Sequence, residues 1–169
     1  MTGDCWRNTR INSVNCSNNN HSAGTSRNQV PALFRRVPLT GINLDIGGGR
    51  FDRVEEEYGA VFTNLVYDPY NRTDEHNDRV LRLADRGIDS VTIANVLNVL
   101  KTDEEIQDVL RLAASYEVPI FVSVYEGDKT GILKRTRDGW QRNARTGLYV
   151  PVVREVRPGA YLKKGVIYA

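Results

Sequence analysis

The chain of 169 residues is poor in the features that would anchor, cross-link or metallate it. No run approaches the roughly 18 consecutive apolar residues that a membrane-spanning helix needs, and the N-terminus lacks the apolar core of a signal peptide. A soluble, cytoplasmic protein with no membrane partner is therefore expected. Only two cysteines are present, Cys5 and Cys16, without the further Cys or His partners that a metal site or a disulfide framework requires. They read as incidental reduced thiols, and no metal is expected. Glycosylation triplets begin at Asn15, Asn20 and Asn71, but that chemistry needs a secreted chain, and all three read as chance.

Apolar residues are also scarce in residues 1–28, which hold seven asparagines. Such a composition cannot support a core of its own, so a mobile, polar tail is expected unless Trp6, Ile11 and Val14 dock it on the domain. The remaining residues 29–169 suffice for one core and not two, which predicts a single domain.

What the chain does have is a glycine run in a telling place. Residues 42–46 are mostly apolar and are followed by Gly47, Gly48 and Gly49. Residues 50–58 can then form a helix that turns Phe51 and Val54 inward. Three glycines allow a sharp turn with no Cβ in the way, so that a ligand can lie against exposed N–H groups at the helix N-terminus. A second apolar run, residues 61–67, ends in Asp68, whose carboxylate can accept hydrogen bonds from ribose hydroxyls.

A dinucleotide site would want Gly-x-Gly-x-x-Gly, and the sixth position here is Asp52. Asp45, just before the turn, sits poorly beside a pyrophosphate but suits a ligand carrying an ammonium and a sulfonium charge. S-adenosylmethionine is favoured over NAD on this ground; an ordinary tight turn between strand and helix would explain the glycines alone.

The stretch Leu44-Asp45-Ile46-Gly47-Gly48-Gly49 resembles the first motif of Rossmann-like S-adenosylmethionine-dependent methyltransferases. Downstream, Tyr67-Asp68-Pro69-Tyr70-Asn71-Arg72 and the run from Asp89 through Asn95 to Leu100 are similar to small methyltransferase-like proteins of phages, mobile elements and phosphorothioation gene clusters. The likeness covers residues 40–128. It implies an α/β fold with a Rossmann-like, mainly parallel sheet and S-adenosylmethionine as cofactor. It does not specify the acceptor, because folds of this kind host many.

The rest of the chain fills in that architecture. Pro31 precedes a short helix in which Phe34 is a core candidate. Residues 73–86 read as a helix burying Val80, Leu81 and Ala84, and a strand follows at residues 90–94. That interval is too short for the usual strand and helix pair. Either the third strand of the sheet has been lost, which fits the helical spacing better, or residues 79–84 are that strand and Asp85 contacts adenine. Thr102 and Glu105 form a capping box opening a helix to about residue 116, with Ile106, Val109, Leu110 and Ala113 buried. Residues 118–125 are the next buried strand, and residues 149–156 and 165–168 are predicted to close the sheet as an antiparallel hairpin.

Ligands of open α/β sheets collect at the carboxyl ends of the strands, which gathers Asp45, Gly47, Asp68, Asn95 and Glu126 on one rim. Gly48, Gly49, Pro69 and Tyr70 complete the expected cofactor site, with Pro69 fixing the loop and Tyr70 either stacking on the adenine or joining the core. Asn95 either contacts ligand or caps its own turn. Methyl transfer chiefly needs alignment of the acceptor, since the sulfonium is already activated. If a general base is used, Glu126 is the best-placed carboxylate, although it can equally bond the backbone of the Gly127 turn. Asn95 and Glu126 are thus the catalytic candidates. The chain lacks the Asp/Asn-Pro-Pro-Tyr motif of amino-directed DNA methyltransferases, having Asn95-Val96-Leu97 instead, and lacks a cysteine placed for cytosine C5 chemistry.

Charge is distributed unevenly: +4 over residues 1–40, −10 over residues 41–128 and +8 over residues 129–169. In the last segment Lys129, Lys134, Arg135, Arg137, Arg142 and Arg145 are interleaved with Trp140 and Tyr149, a pattern suited to a nucleic acid or another phosphate-bearing acceptor. Arg72, Asn98, Arg135 and Trp140 are the candidate acceptor contacts. The basic run reads equally as a solvated face, or as a partner for the acidic middle of a second copy in a homodimer. Three functions follow: a methyltransferase for nucleic acid or nucleotide, one for a small molecule or protein, or a non-catalytic S-adenosylmethionine-binding module that engages a host protein.

Overall fold

The structure, a computed structural model, describes residues 29–137 and 139–169. The asparagine-rich stretch, with both cysteines and Trp6, Ile11 and Val14, lies outside the described residues. Four parallel strands form the body of the sheet: β1 (Gly41–Ile46), β2 (Phe62–Tyr67), β3 (Ser90–Ala94) and β4 (Ile120–Ser123). A C-terminal hairpin of β7 (Tyr161–Lys163) and β8 (Val166–Tyr168) adds antiparallel to β4, giving the order β2-β1-β3-β4-β8-β7. A separate two-stranded ribbon, β5 (Leu133–Thr136) and β6 (Gly139–Arg142), lies between β4 and the C-terminal helix in sequence.

The connecting helices are α1 (Arg53–Tyr58), α2 (Asp74–Ala84), α3 (Asp103–Ala114) and α4 (Val150–Val156). α2 starts where Thr73 accepts from the His76 N–H at 3.2 Å, and it buries Val80, Leu81 and Ala84. α3 starts at the expected capping box: Thr102 Oγ1 accepts from Glu105 N, and Glu105 Oε2 accepts from Thr102 N at 3.1 Å. Ile106, Val109, Leu110 and Ala113 are buried along it. Ahead of β1, residues Ala32–Arg35 form a 3-10 turn after Pro31, with Phe34 in the core.

Residues 79–84 are helical and β3 lies directly beside β1, so among the described residues β2 is an outer strand of the sheet and no further strand flanks it. The interval between β2 and β3 thus holds one helix and no strand, as the helical spacing predicts. Asp85 is exposed at the C-cap of α2 and does not line the cleft at the strand ends; the strand that would have brought it to adenine is absent.

Three other expectations are corrected. Residues 149–156 are not a strand: a 3-10 turn at Thr146–Tyr149 runs into α4, and Pro151 occupies the first turn, where its missing N–H costs nothing. The hairpin partner of residues 166–168 is instead β7. The helix after the glycines begins only at Arg53, leaving Arg50 and Phe51 in the turn, although Val54 is buried as expected. The β5–β6 ribbon replaces what the sequence presented only as a basic stretch.

Successive strand residues alternate between the faces of the sheet. One face packs Leu44, Ile46, Val91 and Ile93 against α2 and α3 in the larger apolar cluster. On the other, Phe62 and Ala94 join Leu33, Phe34, Val37 and Val54 in a smaller cluster.

Candidate functional site

The strand order reverses about β1: the chain leaves β1 for β2 on one side and returns to β3 on the other. Ligands of open α/β sheets bind outside the carboxyl ends of the strands at such a switch point. A cleft of about 1110 Å³ opens there, lined among others by Asp45, Gly47, Gly48, Asp68, Tyr70, Asn95, Asn98 and Glu126. The rim expected from the sequence is therefore one continuous surface.

The glycines have steric reasons to be glycine. Gly47 has φ +77°, and a Cβ on it would stand 2.4 Å from Val96 Cγ2 in the loop after β3. A Cβ on Gly48 would meet Asp45 Oδ2 at 2.5 Å. Gly49, at φ +81°, is buried beneath the cleft and does not line it; Pro69 does not line it either.

Asp68 stands at the tip of β2 as expected, but its carboxylate is already engaged. Oδ2 accepts from Gly49 N at 2.9 Å and from Asn71 Nδ2 at 3.1 Å. Oδ1 accepts from Tyr70 N at 2.9 Å and from Asn71 N at 3.0 Å. Buried Asn77 clamps the Asp68 backbone, accepting from its N–H and donating to its C=O, both at 3.0 Å. Asp68 thus ties the glycine turn to the β2–α2 loop, and a ribose would have to exchange with one of these donors. Arg72 serves the same joint: it does not line the cleft, and its Nε donates to the Gly49 carbonyl at 2.7 Å while Nη2 pairs with Asp52. Tyr70 faces the cleft and also packs against the larger core cluster.

Asp45, 2 % exposed, touches the cleft floor. Behind it runs a buried polar ladder that the sequence did not reveal. Ser90 Oγ donates to Asn43 Oδ1, Asn43 Nδ2 donates to Asn64 Oδ1 and Thr92 Oγ1, and Asn64 and Thr92 donate to the two Asp45 oxygens at 3.3 and 3.0 Å. These residues share the sheet face opposite Leu44 and Ile46, and the strand alternation brings them into line. Burial pushes the Asp45 carboxyl from 3.8 up to about 6, against the opposing pull of the Asn64 and Thr92 hydrogen bonds.

Beyond β3, Asn95 is exposed at φ +60°, a left-handed conformation that Asn tolerates better than most residues. Its N–H is held by the Ser123 carbonyl at 2.9 Å, which leaves the side chain at the cleft mouth. Asn98 is 1 % exposed and lines the cleft with its Oδ1 unpartnered among the described residues. Glu126 Oε1 accepts from Thr146 N at 2.9 Å; this bond, more than any other influence, holds its carboxyl below the ordinary value. It is an ionised carboxylate of low basicity that closes the Thr146 turn rather than the Gly127 turn.

Arg135 and Trp140 do not line the cleft. They are cross-strand partners on the β5–β6 ribbon, and Lys101 Nζ lies 5.2 Å from the Trp140 ring centroid. Gln141, next to Trp140, does reach the cleft, and Arg142 N donates to the Asn98 carbonyl at 2.6 Å, fixing the ribbon to the cleft loop. Arg135 and Arg137 are exposed, while Lys129 and Lys134 pair with Glu126 and Asp128. Gln141 and Thr146 were missed because no local motif marks them; only the fold carries them to the cleft.

Among the described residues no helix is long and apolar enough to cross a membrane. Compared with known proteins, the chain matches no family model and has no significant match among curated proteins.

Proposed function

We propose that the chain binds S-adenosylmethionine in the cleft at the ends of β1, β2 and β3 and transfers its methyl group, with a nucleic acid or nucleotide as the favoured acceptor. The observation that carries this reading is the convergence of the Gly47–Gly48 turn, the Asp45 carboxylate and the Asp68 loop on one cleft at the sheet's switch point. A sulfonium and an ammonium group would find a partly compensating carboxylate in Asp45, and the adenine a flat neighbour in Tyr70. Asn95 and Asn98 face the same cleft and can align an acceptor through their amides. The acceptor class rests on Arg135, Arg137 and Trp140, carried beside the cleft by the ribbon.

A second reading, a non-catalytic S-adenosylmethionine-binding module, is favoured by one observation: β2 is an outer strand, so the cleft has less wall on that side to enclose an acceptor.

Calorimetric titration of the full chain with S-adenosylmethionine, with NAD as control, is the test. Saturable binding of the first and not the second is expected, and absence of binding overturns both readings. Transfer of labelled methyl to RNA or DNA, weakened by salt and by Arg135→Ala with Arg137→Ala, selects the first reading. Binding without transfer to any fraction of a cell extract selects the second.

A further inference from the structure

The cleft at the strand ends, about 1110 Å³, exceeds the roughly 300–1,000 Å³ of most small-ligand pockets, so a methyl donor leaves part of it free. It runs past the ends of β3 and β4 to the turn between β7 and β8, where Tyr125, Lys164 and Gly165 line it with Arg36, which follows the 3-10 turn ahead of β1. Most charged side chains on its lining are engaged. Thr92 donates to Asp45, Gly49 to Asp68 and Thr146 to Glu126, while Arg35 and Arg53 pair with Glu57 and Glu56. Arg36 and Lys164 form no ion pair among the described residues, yet they are drawn together: Arg36 Nη1 donates to the Lys164 carbonyl at 3.4 Å.

Gly165 makes room for that guanidinium, since a Cβ there would stand 2.9 Å from Arg36 Nη1. Lys164 stands on a strained backbone. Its two-residue turn with Gly165 has φ +49° and +72°, a conformation for which Asn-Gly is the preferred pair. Two unneutralised cations at one end of a cleft, one of them on a strained turn, call for an anion. That anion is not the donor's own carboxylate. Neighbouring strands lie about 4.8 Å apart, so β1 and β8, with β3 and β4 between them, stand about 14 Å apart along the rim. An amino acid's carboxylate lies within about 4 Å of its ammonium nitrogen, so a donor with its ammonium at Asp45 falls short of Arg36. Between the two ends Tyr125, 58 % exposed just beyond β4, offers an aromatic ring for stacking.

We propose that this arm of the cleft is a nucleotide subsite, in which Arg36 and Lys164 hold a phosphate and Tyr125 stacks on the base, whose edge is presented toward Asn95. The phosphate site stands without the methyl-donor reading; the claim that its occupant is the methyl acceptor rests on that reading.

The test uses the full chain without donor, and amide chemical shifts locate binding. The probes are the common ribonucleoside 5′-monophosphates and a short single-stranded oligoribonucleotide. Saturable shifts at Arg36, Tyr125 and Gly165 are expected: from a monophosphate if the phosphate source is a free nucleotide, from the oligoribonucleotide alone if it is a nucleic acid. The matching nucleosides should bind about tenfold more weakly, the loss expected for one hydrogen bond to a charged group. Tyr125→Ala should weaken binding by about the same factor through lost stacking. Lys164→Asn installs the residue favoured at this turn position, so its melting temperature should equal or exceed the parent's while probe affinity falls about tenfold. S-adenosylmethionine should titrate into this variant as into the parent. Absence of saturable shifts at these amides with every probe, nucleosides binding as tightly as monophosphates, full probe affinity in Lys164→Asn, or weakened donor binding in that variant would each overturn the subsite and leave the methyl-transfer reading in place. Probe shifts in a parent that binds no S-adenosylmethionine would overturn that reading and keep the phosphate site.

Discussion

Arg72 Nε donates to the Gly49 carbonyl at 2.7 Å, across 23 residues of chain, from a side chain that is only 12 % exposed. That bond, with the Gly49 N–H held by Asp68, grips the same glycine at both its carbonyl and its amide. The ion pair to Asp52 adds little, since Asp52 is mostly exposed. Arg72→Lys cannot present Nε and so loses the carbonyl bond. The expected result is a loss of about 1–3 kcal/mol in urea unfolding, together with weakened S-adenosylmethionine binding by calorimetry. An unchanged unfolding midpoint would show that the joint does not depend on Arg72.

Asp45 makes stability depend on pH in a defined window. Its carboxyl is raised in the fold from 3.8 to about 6, so the folded state binds a proton that the unfolded chain has already released between those values. The charged, buried form is therefore a burden that is fully present above about pH 6 and disappears as pH falls toward 4. The shift corresponds to about 3 kcal/mol at most. Unfolding free energies of the parent and of Asp45→Asn, measured from pH 4 to pH 7.5, should diverge with pH: the parent loses stability relative to the variant as pH rises through that window. A constant difference would place the raised carboxyl elsewhere. The proposed cationic ligand should bind more tightly as Asp45 ionises, so S-adenosylmethionine affinity should climb as pH passes through about 6.

What the sequence disclosed and what it hid divide by range along the chain. The glycine turn, Asp68 at the end of an apolar run and the Thr102–Glu105 capping box announce themselves because each is marked by a short local pattern of residues. The ladder of Asn43, Asn64, Ser90, Thr92 and Asp45 was invisible: these polar residues are spread over three strands far apart in sequence, and only the register of β1 with β2 and β3 makes them meet. Residues 149–156 misled because a valine-rich run fits strand and helix alike. Pro151, which is at home in a first helical turn, was the signal that decided between them. The β5–β6 ribbon was hidden because its first strand is largely exposed and charged, with no apolar alternation to mark it. Arg72 drew attention as an acceptor contact, but its guanidinium turns back across 23 residues to Gly49, a contact no local pattern marks.

Gly47 is the most restrictive of the three glycines, since it combines a left-handed backbone with a close approach to Val96 in the loop after β3. The positive φ alone costs an L-residue about 1–2 kcal/mol, and the Cβ of alanine would stand 2.4 Å from Val96 Cγ2. Val96 is buried, so it cannot swing into solvent to make room. Gly47→Ala should therefore destabilise by about 2–4 kcal/mol, the sum of backbone strain and overpacking. Val96→Ala removes the obstructing methyls but leaves the backbone strain, at its own cost in lost packing. The double variant should then be less destabilised than the two single losses added together, by about 1 kcal/mol, as neighbouring sites that share a contact behave. Urea unfolding of all four proteins measures this coupling directly. Strict additivity would mean that Gly47 is required for its backbone conformation alone, and the approach of the glycine turn to the loop after β3 would then place no demand on this position.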